Sequence, residues 1–181
     1  HIWVADCRAP AWPLPHLNEL FVWPRLRLNP DMTPRMRDQR WPETNQTWPQ
    51  SVPTLIDPHR RVSLRAHRDD DLPRIVEMCN DPDWVQWTPT PWPYDLSHGQ
   101  EFHHHTVPSE VDAGRAMIWA IEAILTPGGE PEFCGTVEIR RTHPHRGEIA
   151  FGLHPTARGQ SLMSRAGRLA LDWAFDVAGF P

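Results

Sequence analysis

Glu148-Ile149-Ala150-Phe151-Gly152-Leu153-His154-Pro155-Thr156-Ala157-Arg158-Gly159-Gln160-Ser161-Leu162-Met163 passes from a strand through a turn into a helix, and that order decides the fold class. From Glu148 to His154, Ile149, Phe151 and Leu153 alternate with Glu148, Ala150 and Gly152, the period-two pattern of a strand. Beyond the turn, Leu162, Met163, Ala166, Leu169, Ala170, Trp173, Ala174 and Val177 make one helical stripe opposed by Arg165, Arg168, Asp172 and Asp176. Gly179 and Pro181 terminate that helix. The turn between them is rich in small and cationic residues. Backbone N–H groups at a helix start lack partners, and the macrodipole favours an anion there by roughly 0.3–1 kcal/mol. Arg158 adds a charge-assisted donor, so the turn has the chemistry of a phosphate cradle.

Upstream, Val62 and Leu64 alternate with Ser63 and Arg65 as a short strand, and Asp69-Asp70-Asp71 then offers a helix N-cap with acidic first-turn residues. Leu72, Ile75, Val76 and Cys79 give the stripe of that helix, and Asn80-Asp81-Pro82 ends it. Trp84 to Tyr94, crowded with Trp84, Trp87, Trp92 and prolines, is expected to be an aromatic loop, followed by a weaker helix over Asp95 to Thr106. Ala116 to Leu125 and Phe133 to Arg140, separated by Thr126-Pro127-Gly128-Gly129, read as an antiparallel hairpin. Thr142 to Gly147 turns the chain into the strand first quoted. The order β-α-α-β-β-β-α predicts an α+β domain: an antiparallel meander followed by a helix.

The 181 residues suffice for one domain with an appendage. Residues 1–60 hold ten of the 21 prolines and five of the ten tryptophans, including Trp12-Pro13, Trp23-Pro24, Trp41-Pro42 and Trp48-Pro49. That density of proline forbids regular helix and central strand, so 1–60 is expected to be a Pro/Trp-rich extension, poorly ordered or packed on a domain spanning 61–181. With a net charge of -5, the chain has no bulk electrostatic footprint for nucleic acid or anionic membrane. Cys7, Cys79 and Cys134 are too few and too scattered for a disulfide framework or a Cys-x-x-Cys metal site, which fits a reducing cytoplasm. His103-His104-His105 and His143-Pro144-His145 are read as surface histidines and no metal is expected, since consecutive histidines point to different helix faces. The first residue is His1, and the chain stops just after a helix, which suggests a fragment.

The segment from Glu148 to Gly159, with the helix ending Leu171-Asp172-Trp173-Ala174-Phe175, resembles the cofactor segment of the GNAT superfamily of N-acetyltransferases, nearest the branch that acetylates N-termini of ribosomal proteins. Val62-Ser63-Leu64-Arg65, Asn80-Asp81-Pro82, Trp87-Thr88 and Phe133-Cys134-Gly135-Thr136-Val137-Glu138-Ile139 extend the resemblance over Arg61 to Phe180. It implies a mixed GNAT-like sheet, truncated before its last strands, with acetyl-CoA as acetyl donor and an amine as acceptor, either a protein N-terminus or a small molecule. Leu153 and His154 would lend backbone to the pantetheine arm, and Arg158, Gly159, Gln160, Ser161, Leu162 and Met163 would hold the phosphates. Glu148 is the candidate base or amine-binding group, with Glu138 second; Trp84, Trp87, Trp92 and Tyr94 are candidates for an acceptor wall.

Ser161 and Met163 replace the small residues of the family's loop, so side chains are expected where backbone should approach phosphate, with Ser161 able to act as N-cap or phosphate donor. With the final strand absent, the resemblance implies a half-built cleft, weak acetyl-CoA binding and little turnover. The rival reading is a non-catalytic GNAT-like module whose Trp-Pro arm mediates protein interaction.

Overall fold

The computed structural model describes residues 48–143 and 146–180. In chain order these form β1 (Leu55–Ile56), β2 (Ser63–Arg65), a 3-10 turn (Asp69–Asp71), α1 (Leu72–Cys79), α2 (Pro82–Trp87) and α3 (Leu96–Glu101). A π-helical turn (Phe102–Thr106) leads into α4 (Val107–Asp112), followed by β3 (Ala116–Ala123), β4 (Glu132–His143), β5 (Arg146–Leu153), a second 3-10 turn (Pro155–Ala157) and α5 (Leu162–Asp176). The strands make one five-stranded sheet in chain order, and every described pairing is antiparallel. The class is α+β, with the meander followed by a helix. The Trp-Pro pairs at Trp12, Trp23 and Trp41, together with Cys7 and His145, lie outside the described residues.

The two faces of the sheet are covered by different parts of the chain. Trp119 of β3 is fully buried and meets Trp173 of α5 edge-on at 5.0 Å. On the opposite face Ala120 and Phe133 pack with Ile75, Met78, Cys79 and Tyr94. The expected stripe of α1 is thus mostly buried, and that of α5 supplies Ala166, Ala170, Trp173 and Ala174 to the core. Residues just before Arg61 join the same body: Leu55 and Ile56 pair with Leu64 and Ser63. The Trp119 indole donates to the Pro53 carbonyl at 2.9 Å. Trp48 packs edge-on against Trp173 at 5.3 Å, and the Arg141 guanidinium lies 4.5 Å from the centre of its ring.

Three local expectations are corrected. The aromatic stretch is not wholly loop, because α2 runs as far as Trp87. Asp81 caps it by accepting the Trp84 N–H, and Pro82 takes the first-turn position where a missing N–H costs nothing. The second predicted helix does not stop at Thr106; it continues through the π-helical turn to Asp112. The Asp69–Asp71 run does not cap α1 with a side chain. Asp71 instead receives both ends of the Arg65 guanidinium at 2.8 Å and the Arg68 N–H at 2.8 Å. Glu122 of β3 accepts from Arg65 as well, so a buried arginine is held between two carboxylates.

Candidate functional site

Alternation in an antiparallel ladder determines which peptide groups of β5 are spent. The His154 N–H donates to the Cys134 carbonyl at 2.9 Å, so residues at even positions bond inward to β4. The N–H and C=O of Ile149, Phe151 and Leu153 consequently face the other side, where the described sheet has its edge. The peptide groups of Leu153 therefore lie on that outer side. The His154 backbone does not, because its carbonyl also accepts from Ala157 at 2.9 Å and both of its groups are engaged. Gly135 and Gly152 permit the close approach at this end of the sheet. A side chain at Gly135, with φ of 151°, would meet the Gly152 oxygen at 2.2 Å, and one at Gly152 would meet the Trp84 ring at 2.0 Å.

His154 contributes its side chain rather than its backbone. The buried imidazole accepts at Nδ1 from the Thr156 N–H at 3.3 Å, which fixes the Nε2–H tautomer, and Nε2 donates to Glu77 at 3.1 Å. Arg74 donates to the Phe133 carbonyl at 2.6 Å and to the Thr156 hydroxyl at 3.0 Å, and pairs with Glu132 at 2.9 Å. Burial and the Arg74 charge hold the imidazole below its ordinary pKa against the pull of Glu77. These contacts join α1 to the turn under the loop. They span sequence separations that leave no local signal.

In the loop itself, Arg158 reaches back to the start of α2, donating to Asp81 at 2.6 Å and Asp83 at 2.9 Å. Burial acts to raise the Asp81 carboxyl, but the guanidinium outweighs it and holds the group below the carboxylate range. Gly159 takes a left-handed φ of 78°, and Gln160 donates to the Thr156 carbonyl at 3.3 Å. Leu162 is buried at the head of α5. Ser161 is left-handed at φ 59°, and its side chain makes no cap bond, which corrects the expected N-cap role. The first-turn N–H groups of α5 thus have no help from Ser161. The partly buried Met163 side chain packs against the main core.

The left-handed conformation costs an L-residue about 1–2 kcal/mol, of which glycine's freedom in the unfolded chain returns part. Ser161→Gly should therefore stabilise the protein by about 0.5–1 kcal/mol in urea denaturation.

Glu148 is exposed on β5, opposite Arg140 of β4, and shares a face with Ala150 and Gly152. Arg140 joins Glu138 at 2.6 Å and Glu110 at 2.7 Å, and Arg115 bonds the second oxygen of Glu110 at 2.7 Å. Burial raises the Glu138 carboxyl above its ordinary value despite Arg140, with Glu110 and Glu148 adding to the rise. The structure brings Glu148 and Glu138 together, and adds Arg140, Glu110 and Arg115, which lay in unremarkable polar positions of the sequence. Of the aromatic candidates, Trp84 covers Gly152 while Trp87 and Trp92 are exposed. Tyr94 is buried beside α1 and is not on a wall; burial pushes its phenol up to about 12.

Residues 61–181 match the model of the acetyltransferase (GNAT) domain. A search of curated proteins finds no match. Among solved structures, a GNAT-family acetyltransferase from Bacillus anthracis is similar with a TM-score of 0.56 at 16% identity, covering 71% of this chain and 69% of that one. Mycobacterium smegmatis RimJ, solved in complex with CoA-disulfide, is similar with a TM-score of 0.56 at 20% identity, over 74% and 65%. Spermidine N-acetyltransferase from Vibrio cholerae, in complex with CoA and spermine, is similar with a TM-score of 0.51 at 19% identity, over 66% and 67%. The chain spans about two thirds of the length of these proteins. At these identities the likeness is one of fold. Among the described residues no helix is long and apolar enough to cross a membrane.

Proposed function

The chain belongs to the GNAT acetyltransferase family, and from that membership we propose that it moves an acetyl group from acetyl-CoA to an amine, with residues 61–181 as the transferase domain. The observation that carries the reading is the run of outward peptide groups on Ile149, Phe151 and Leu153, leading directly to the start of α5 with Arg158 beside it. An extended pantetheine arm fits such an edge as an added strand would, and the pyrophosphate falls at the amides of Gly159 through Met163. The complexes of the Mycobacterium smegmatis and Vibrio cholerae proteins with CoA forms support this choice of donor. Ser161 and Met163, the two departures from the family's loop, are compatible with this placement. One is accommodated by backbone conformation and the other by the core.

The chemistry is attack of a neutral amine on the thioester carbonyl, collapse of the tetrahedral adduct, and departure of CoA thiolate, which takes up a proton. Outward N–H groups of β5 serve as donors to the developing oxyanion. An α-amine, with a pKa of about 7.7–8.0, needs less help to become neutral than a lysine amine near about 10.4. An exposed carboxylate such as Glu148 therefore suffices to bind the amine and take its proton. The acceptor is an amine on a protein N-terminus or a small molecule.

Calorimetric titration with acetyl-CoA tests the reading. Saturable binding is expected, weakened about tenfold in Arg158→Ala, which removes a charge-assisted bond worth about 1.5–3 kcal/mol less what Asp81 and Asp83 already hold. Glu148→Gln should lower turnover while leaving acetyl-CoA affinity unchanged. Absence of any acetyl-CoA binding would overturn the assignment in favour of a non-catalytic interaction module.

A further inference from the structure

The geometry points to a divalent-cation site of the zinc class, formed by Asp69, His103 and His104 where the first 3-10 turn meets the π-helical turn. One ligand atom from each of the three lies within 4.8 Å of the others. Asp69 Oδ1 is 3.4 Å from His103 Nε2 and 3.0 Å from His104 Nε2. Zinc bonds of about 2.0–2.1 Å to nitrogen and about 2.0–2.2 Å to oxygen place neighbouring ligands of a tetrahedron about 3.3 Å apart. The two distances from Asp69 are therefore already those of coordination edges, and the third, within 4.8 Å, closes by side-chain adjustment when an ion enters.

The π-helical turn makes this possible. Consecutive histidines on an α-helix diverge, which is why the sequence argued against a metal. Widening the hydrogen-bond step over Phe102–Thr106 brings the His103 and His104 rings to 4.4 Å between centroids, with both Nε2 atoms facing one carboxylate. A second observation lies behind the cluster. His67 is 7% exposed, its ring centre is 6.5 Å from that of His103, and neither of its nitrogens has a hydrogen-bond partner. His103 Nδ1 is also buried without a partner. Three unsatisfied ring nitrogens therefore adjoin the cluster, in a region where buried polar atoms are normally bonded.

Imidazole and carboxylate suit Zn2+, Co2+ or Ni2+ better than the all-oxygen preference of Mg2+ or Ca2+. Asp69 and His104 are exposed, which leaves the fourth position to water. The ion would tie the turn that holds Arg65 to the α3–α4 helix pair, and its effect is on stability.

The test uses the full chain freed of metal with a chelator, titrated with Co2+ by visible absorption and with Zn2+ by calorimetry. One tight equivalent, and a melting temperature that rises with Zn2+, are expected. Asp69→Asn and His104→Ala should each weaken binding by roughly tenfold or more, while His59→Ala, an exposed histidine outside the cluster, leaves it unchanged. Equal affinity in wild type and Asp69→Asn would overturn the proposal. So would an equal loss in His59→Ala, which would mark diffuse binding to surface histidines. Should His104→Ala fail to fold, the isosteric change at exposed Asp69 decides the matter alone.

Discussion

Asp71→Ala should lower the unfolding free energy by about 3–5 kcal/mol, the range found when one partner of a buried ion pair is removed. Arg65 and Asp71 are 6% and 3% exposed, so neither can turn to water when the other is lost. The substitution removes two bonds of 2.8 Å to the guanidinium and one to the Arg68 N–H. Glu122 alone then faces the buried charge. Because a domain is stable by only about 5–15 kcal/mol, this single change takes a large share. The urea midpoint should fall while the slope stays constant. Adding Arg65→Met should restore part of the loss, since Glu122 can still pair with Arg68 at 3.3 Å and no cation is left stranded. A double variant weaker than the sum of both single losses would refute that account. The sign against acid follows from the same contacts. Burial raises the Asp71 carboxyl, but Arg65 and the Arg68 N–H outweigh it and hold it below the ordinary range. Its stabilisation is present above the unfolded carboxylate pKa and is lost as pH falls through the folded one.

Mild acid should destabilise the protein earlier than carboxylate titration would. His67 sits edge-on to Phe102 at 5.3 Å and beside Phe133 at 5.9 Å. Burial, opposed by Asp71 and assisted by His103 and Arg65, lowers its pKa from 6.5 to about 4. The unfolded chain therefore binds a proton that the native state refuses. Stability is complete above pH 6.5 and declines as pH falls towards about 4, by about 3 kcal/mol at about 1.4 kcal/mol per unit. His67→Phe should remove that part of the slope between pH 6.5 and 5, with the residue due to His154, whose pKa is lowered in the same direction. Parallel stability curves for wild type and His67→Phe would show that His67 plays no part.

The meander and its closing helix were legible because their signals are local: alternation over Glu148 to Leu153, the Gly128-Gly129 turn, and the stripe from Leu162 to Trp173. The loop's place at the head of α5 was legible for the same reason. What stayed hidden depends on distance or on hydrogen-bond phase. Arg65 meets Glu122 across 57 residues, and Arg74 meets Thr156 across 82. Nothing in composition marks a π-helical turn, so His103 and His104 read as divergent. The α2 helix did have a signal, Asp81 followed by Pro82, which the surrounding prolines and aromatics obscured. Ser161 was read for its hydroxyl, whereas its backbone angle decides its effect.

The peptide groups on the outer side of β5 belong to the main chain and survive side-chain truncation. Alanine scanning of Ile149, Phe151 and Leu153 would therefore leave the proposed pantetheine edge in place, and its losses would report the core packing of Ile149 and Leu153 instead. A reading-frame style perturbation would expose that edge. One residue inserted between Gly147 and Glu148 exchanges inward for outward positions along the rest of the strand, and a second insertion restores the original parity.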